Sequence, residues 1–224
     1  MTQNTAILIF ANSSTKEAQN KGFHKSEELF KNLNNLVIKK AKRSNLPYFI
    51  INENQQIGNS FGERFANAIQ SIYNKGFNNV ISIGNDSPQL KVSHLLKANQ
   101  NLKANKFVLG PSKNGGFYLL GLNKADFNYN NFKNLAWQTN TIQKAFLKHF
   151  KTLKTEIRLE VLKDINTKKD LYYFLNSYKF IHHITRHLIV AILNKIVNHF
   201  TQYSLAVKHF TDGVNFNKGS PTLL

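Results

Sequence analysis

Short apolar runs alternate along this chain with longer segments of helical periodicity, and this alternation constrains the fold more than any single motif. The run from Thr5 to Phe10 (TAILIF) is apolar and bounded by polar residues, as a strand buried on both faces is. Segments 47–51, 79–84, 106–110, 116–122 and 156–162 repeat that form. Between them, Ser26 to Arg43 carries Leu29, Leu33, Leu36 and Val37 on one face, with Ser26 as a candidate N-cap. Phe61 to Lys75 turns Phe65, Ala68, Ile69 and Ile72 inward and stops at Gly76. Segments 92–103, 139–150 and 167–176 also read as helices, whereas 12–22 reads as a polar stretch. Strands alternating with helices of about ten or more residues predict an α/β fold: a three-layer αβα sandwich on a mostly parallel sheet.

That reading places one domain over 1–176 and a separate C-terminal extension over 177–224. In the extension Ile181, Ile184, Leu188, Ile192, Ile196 and Phe200 recur at helical spacing, and the last dozen residues read as a loosely ordered tail. The stripe, with Lys179, Arg186 and Lys195 beside it, suits peripheral contact with an anionic membrane, a homodimer, or packing back onto the body. His183 and His187 share a helix face but have no acid or thiolate nearby in sequence to complete a metal site.

Charge narrows the chemistry. Thirty Lys+Arg against twelve Asp+Glu give a formal net charge of +18, which invites a nucleic-acid partner. Arginine, however, stands only at positions 43, 64, 158 and 186, and the lysines are spread along the chain. Surfaces that read bases or grip phosphates favour clustered arginine, so the charge argues against nucleic acid. With no cysteine, thiolate zinc sites, iron–sulfur clusters and a cysteine nucleophile are excluded. No apolar run approaches the ~18–20 residues of a membrane span, and no signal peptide is visible before the first strand, so the expected location is cytoplasmic.

Four loops could carry chemistry. After the third strand, Gly84-Asn85-Asp86-Ser87-Pro88 displays one carboxylate where open α/β sheets bind ligands. Asp86 there suits a divalent metal facing a diphosphate, or a turn. Asp164 occupies the same geometric position, after a strand and before a helix, so Asp86 and Asp164 could converge on one cation; Thr167 and Asp170 would cap that helix. Asn114-Gly115-Gly116 allows close backbone approach to a ligand, or a hairpin turn. Before the helix at Phe61, Gly62 and the helix N-terminus offer backbone donors to an anion, with Arg64 as a phosphate partner or Glu63 and Arg64 as a structural pair.

Taken in order, these loops resemble a bacterial family of uncharacterised GT-A-type transferases, which share the nucleotide-diphospho-sugar transferase fold. Its members are often labelled radical-SAM/selenodomain-associated transferases or glycosyltransferases. The matching segments are Ser60 to Phe65 (SFGERF), Gly84 to Pro88 (GNDSP), Val108 to Gly121 (VLGPSKNGGFYLLG), Leu135 to Thr139 (LAWQT) and Asp164 to Leu171 (DINTKKDL). The likeness spans about residues 5–175, at matching separations. It implies a nucleotide or nucleotide-sugar substrate and a metal-dependent glycosyltransferase, with Mg²⁺ or Mn²⁺ bridging a diphosphate at Asp86 and Asp164. Glu63, Arg64, Asn85, Asn114, Gly115 and Gly116 would surround the substrate, and Trp137 and Thr139 would line the acceptor side. Three features depart from the family pattern, one of them the Asn85-Asp86 pair in place of a paired-acid motif. The first loop, Ala11 to Ala18, lacks the family's Gly, Pro and Arg, and Asn114 stands where an Asp precedes the double glycine. They keep two alternatives in view: a nucleotidyltransferase acting on a phosphorylated small molecule, and a non-catalytic nucleotide-binding protein.

Overall fold

A computed structural model describes residues 4–22, 26–150, 156–176 and 181–194. Six strands form one sheet: β1 (Thr5–Phe10), β2 (Tyr48–Ile51), β3 (Asn79–Ile83), β4 (Phe107–Pro111), β5 (Phe117–Asn123) and β6 (Glu156–Arg158). Their order is β2-β1-β3-β5-β4-β6, and β5 alone runs against its neighbours. The α/β expectation is met, with one refinement. β4 returns directly into β5 through a five-residue turn too short for a crossover, so β5 must lie antiparallel.

Among the described residues the sheet is accompanied by α1 (Ser14–Lys21), α2 (Glu27–Arg43), α3 (Phe61–Asn74), α4 (Val92–Lys103), α5 (Tyr129–Lys133), α6 (Ile142–Phe150) and α7 (Lys168–Asn176). Side chains alternate across a strand, so β1 feeds two cores. Ala6 and Leu8 meet α3, Phe132 and Phe146 on one face; Ile7 and Ile9 meet Val37 of α2 and Leu95 of α4 on the other. The chain leaves β1 toward β2 and then crosses back over β1 through α3 to β3. The reversal opens a crevice beyond the carboxyl ends of β1 and β3, where ligands of open α/β sheets bind.

A third apolar cluster binds α2, α7 and a helix over 183–194. Ile189, Ile192 and Leu193 pack there against Leu29, Phe30, Leu33, Leu171 and Phe174, and the buried Thr185 hydroxyl donates to Asn32 Oδ1 (2.8 Å). This much of the apolar stripe covers the body's own surface. His183 and His187 are exposed. Residues 195–224, with Ile196 and Phe200, lie outside the described residues, and no described helix is long and apolar enough to cross a membrane.

Candidate active site at the carboxyl edge of the sheet

The polar stretch after β1 is a helix. Ser13 caps α1 by accepting the Lys16 amide, Gly22 ends it in the left-handed conformation, and its charged residues leave no apolar stripe to betray it. Its function lies in the spacing of Glu17 and Lys21, one turn apart, which turns both side chains onto the β3 loop. The Lys21 ammonium donates to Asp86 Oδ2 (3.0 Å), the Ile165 carbonyl (2.6 Å) and Asn166 Oδ1 (2.6 Å), and pairs with Glu17 Oε1 (3.1 Å). It also sits 5.9 Å from the Phe30 ring centroid. Burial alone would lower the Lys21 pKa, but Asp86 and Glu17 outweigh burial and hold it raised, so the ammonium stays charged.

Asp164 is brought to the same place. The Ile165 amide donates to the Asp86 carbonyl (2.9 Å), and the Ser87 hydroxyl donates to Asp164 Oδ1. Burial first, and then the negative charge of Asp86, push the Asp164 carboxyl up to about 6. The two strand-end acids are therefore neighbours, but they are differently employed: Asp86 is ion-paired and Asp164 is hydrogen-bonded and desolvated. A raised carboxyl pKa favours the native state at pH below about 4 and loses that advantage as pH rises through about 6. Asp164→Asn keeps an oxygen to accept from Ser87, so its Tm should match wild type near pH 4 and exceed it above about pH 6. A Tm difference that does not change with pH would refute this account.

Two cavities open here. The larger, about 600 Å³, is lined by Asn12, Lys16, Glu17, Asn20, Glu53, Gln56, Arg64 and the loop Gly84 to Asp86. The smaller, about 390 Å³, is lined by Asn114, Gly116, Phe117, Trp137, Thr139 and Asp164 among others. Phe61, Asp86 and Gln138 line both, so the cavities meet at Asp86.

The structure sorts the remaining sequence candidates. Arg64 faces the larger cavity half-buried and forms no ion pair among the described residues. Glu63 is turned away: its carboxylate accepts the Asn59 amide (2.8 Å) while its own amide donates to the N-cap Ser60 Oγ (3.1 Å), so it helps to hold the start of α3. Asn85 is mostly buried and donates to Asn34 Oδ1 (2.7 Å), tying the β3 loop to α2. Asn114 accepts the Gly116 amide (3.3 Å) inside the turn. Gly115 has φ +89°, and a Cβ there would lie 2.8 Å from the Asn140 carbonyl oxygen, whereas Gly116 has ordinary room. Trp137 donates to the Phe132 carbonyl (2.7 Å) and packs against Phe61, Phe65 and Phe117, and Thr139 donates to the Ala136 carbonyl (2.7 Å).

Sequence reasoning missed three residues of this site. Lys21 lay in the segment read as polar, where the Ser13, Glu17, Lys21 and Gly22 pattern was the available signal. Gln138, with φ +59°, and Phe61 stand between the cavities.

The expected divalent ion must be weighed against Lys21. A +2 ion about 5 Å from that ammonium would meet a repulsion of about 7 kcal/mol at an effective dielectric of about 20. Of the two strand-end acids, Asp86 is already paired with Lys21, and Asp164 accepts the Ser87 hydroxyl. Among the described residues, no group of three or more His, Cys, Asp and Glu side chains converges. This donor set does not fit a shared divalent ion.

Residues 39–139 match the model of a family described as uncharacterised proteins conserved in bacteria, DUF2064. In fold, the chain is similar to the "putative nucleotide-diphospho-sugar transferase" of Desulfovibrio desulfuricans G20. The two share 21% identity with a TM-score of 0.71, over 91% of this chain and 99% of that one. It also matches Rv0371c of Mycobacterium tuberculosis H37Rv in complex with manganese, at 10% identity and a TM-score of 0.41 over 78% of this chain and 99% of that one. No curated protein matches the sequence.

Proposed function

We propose, for a chain with the GT-A-like fold of the nucleotide-diphospho-sugar transferases, that it is a sugar transferase: the larger cavity takes the nucleotide-diphospho-sugar donor and the smaller one the acceptor. The observation that carries this reading is the meeting of two polar cavities at Asp86, with the unpaired Arg64 in the larger one. Arg64, joined by the exposed Lys16, supplies positive charge for a diphosphate, and the amides of Asn12, Asn20 and Gln56 supply hydrogen bonds for ribose and base. The aromatic side chains Phe61, Phe117 and Trp137 give the smaller cavity an apolar wall suited to a sugar face.

In the reaction, an acceptor hydroxyl attacks the anomeric carbon of the donor. The new C–O bond forms as the bond from that carbon to the diphosphate breaks, and the diphosphate leaves with the electron pair. Asp164 lines the acceptor cavity with its carboxyl pushed up to about 6, close enough to neutrality to serve as the base that takes the hydroxyl proton. Arg64 and Lys16 meet the charge that grows on the leaving group.

Thermal shift with a panel of nucleoside diphosphates and their sugars tests the binding half. Ligand at about a hundred times its Kd should stabilise wild type by about 2.7 kcal/mol. Arg64→Ala should weaken the best ligand about tenfold to a hundredfold, the worth of a charge-assisted hydrogen bond of about 1.5–3 kcal/mol. Release of nucleoside diphosphate, rather than of pyrophosphate from a nucleoside triphosphate, would identify the transferred group as the sugar. If no nucleotide raises Tm, the reading is lost.

A further inference from the structure

Divalent ions and ammonium groups do one job in common beside a diphosphate: each sets positive charge against carboxylates that would otherwise repel the substrate. In this chain the job is already filled. Lys21 stands among Asp86 Oδ2, Glu17 Oε1, Asn166 Oδ1 and the Ile165 carbonyl at 2.6–3.1 Å, four oxygens around one nitrogen. Its side chain is only 10% exposed, and Asp86, at 26%, stands between it and the cavities. The oxygens come from α1, the β3 loop and the segment following Asp164, which are the elements a cation shared by the two strand-end acids would have to join.

We propose that Lys21 is the resident cation of this site and that the chain binds its diphosphate ligand without a divalent metal. Lys21 acts through Asp86 and does not itself line either cavity, so it is a positioning residue: it neutralises Asp86 and holds the Asp86 and Asp164 loops together. Arg64, which lines the larger cavity together with Asp86, is left to meet the phosphates. The proposal rests on the transferase reading only for what the cation serves; the placement of the ammonium stands without it.

The test reads metal binding on the free, full-length protein by Mn²⁺ electron paramagnetic resonance, which needs no substrate and no activity. Wild type should leave the spectrum of aqueous Mn²⁺ unchanged at equimolar protein. Lys21→Met vacates the oxygen cage and should bind Mn²⁺ at least about tenfold more tightly than wild type. Adding Asp86→Asn should abolish the gain, and Lys21→Arg, which keeps the positive charge, should behave as wild type. A structural role for Lys21 would not produce a gain of metal binding. Stoichiometric Mn²⁺ binding by wild type, lost in Asp86→Asn, would overturn the proposal, and so would a folded Lys21→Met that gains none. Should Lys21→Met fail to fold, the wild-type spectrum decides alone. A nucleotide that stabilises wild type equally in EDTA and in Mn²⁺ supports the proposal, and stabilisation seen only with Mn²⁺ overturns it. If no nucleotide binds, the transferase reading fails while the Mn²⁺ spectra still decide the identity of the cation.

Discussion

Gly62→Ala is expected to destabilise this protein by about 3 kcal/mol, although it adds one methyl group at the start of a helix whose propensity it should improve. A Cβ at position 62 would lie 2.1 Å from the Lys133 carbonyl oxygen and 2.5 Å from Trp137 Cδ1. The first obstacle is backbone at the end of α5, and the second is a ring held by Phe61, Phe65, Phe117 and Phe132. Neither can yield by turning a flexible side chain, so α5 must move off α3. In a chain of this length the loss should appear as a fall in Tm of roughly 6–12 °C. Gly116→Ala is the control: its Cβ would meet nothing nearer than 3.5 Å, so Tm should change by less than about 0.5 kcal/mol equivalent. Because Trp137 walls the smaller cavity, Gly62→Ala should also weaken acceptor binding more than donor binding. A Tm within a degree or two of wild type would show that α5 is not packed against α3 as described.

Gly62 also shows what a sequence can and cannot disclose. Read alone, it was a backbone donor at a helix start; its steric role depends on a segment about seventy residues away, and no local pattern encodes that approach. The strands and long helices were legible because burial on one or both faces leaves a period of two or 3.6 in the chain, as in β1 and α3. Helix α1 was not, because its residues are held by capping and charge and it lacks an apolar stripe. The ordered loops located Asp86 and Asp164 correctly at one sheet edge, yet left their electrostatics open. Ion pairing depends on which cation the topology delivers, and Lys21 is 65 residues from Asp86. The family resemblance set Glu63 and Asn85 around the substrate, but their hydrogen bonds are spent at the start of α3 and on α2.

Lys21→Met should cost about 3–5 kcal/mol, the usual consequence of removing one member of a buried ion pair. Methionine preserves the length of the stem, so the loss measures charge and hydrogen bonds more than volume. It leaves the Asp86 and Glu17 carboxylates facing each other without a cation, and two acceptors, the Ile165 carbonyl and Asn166 Oδ1, without their donor. Because the folded pKa of Lys21 is raised, the ion pair contributes fully below the unfolded value near 10.5 and fades as pH climbs through the higher folded value. The Tm gap between wild type and Lys21→Met should therefore hold constant from neutral pH to about pH 10 and narrow only above it. The pair is mostly buried, so raising salt should close little of the gap. Asp86→Asn in the Lys21→Met background removes one of the stranded charges, and the double variant should be more stable than the two single losses sum to, by about 1–3 kcal/mol. A loss below about 1 kcal/mol, or one abolished by salt, would class Lys21 with solvated surface pairs and remove the physical ground for calling its ammonium the cation of the site.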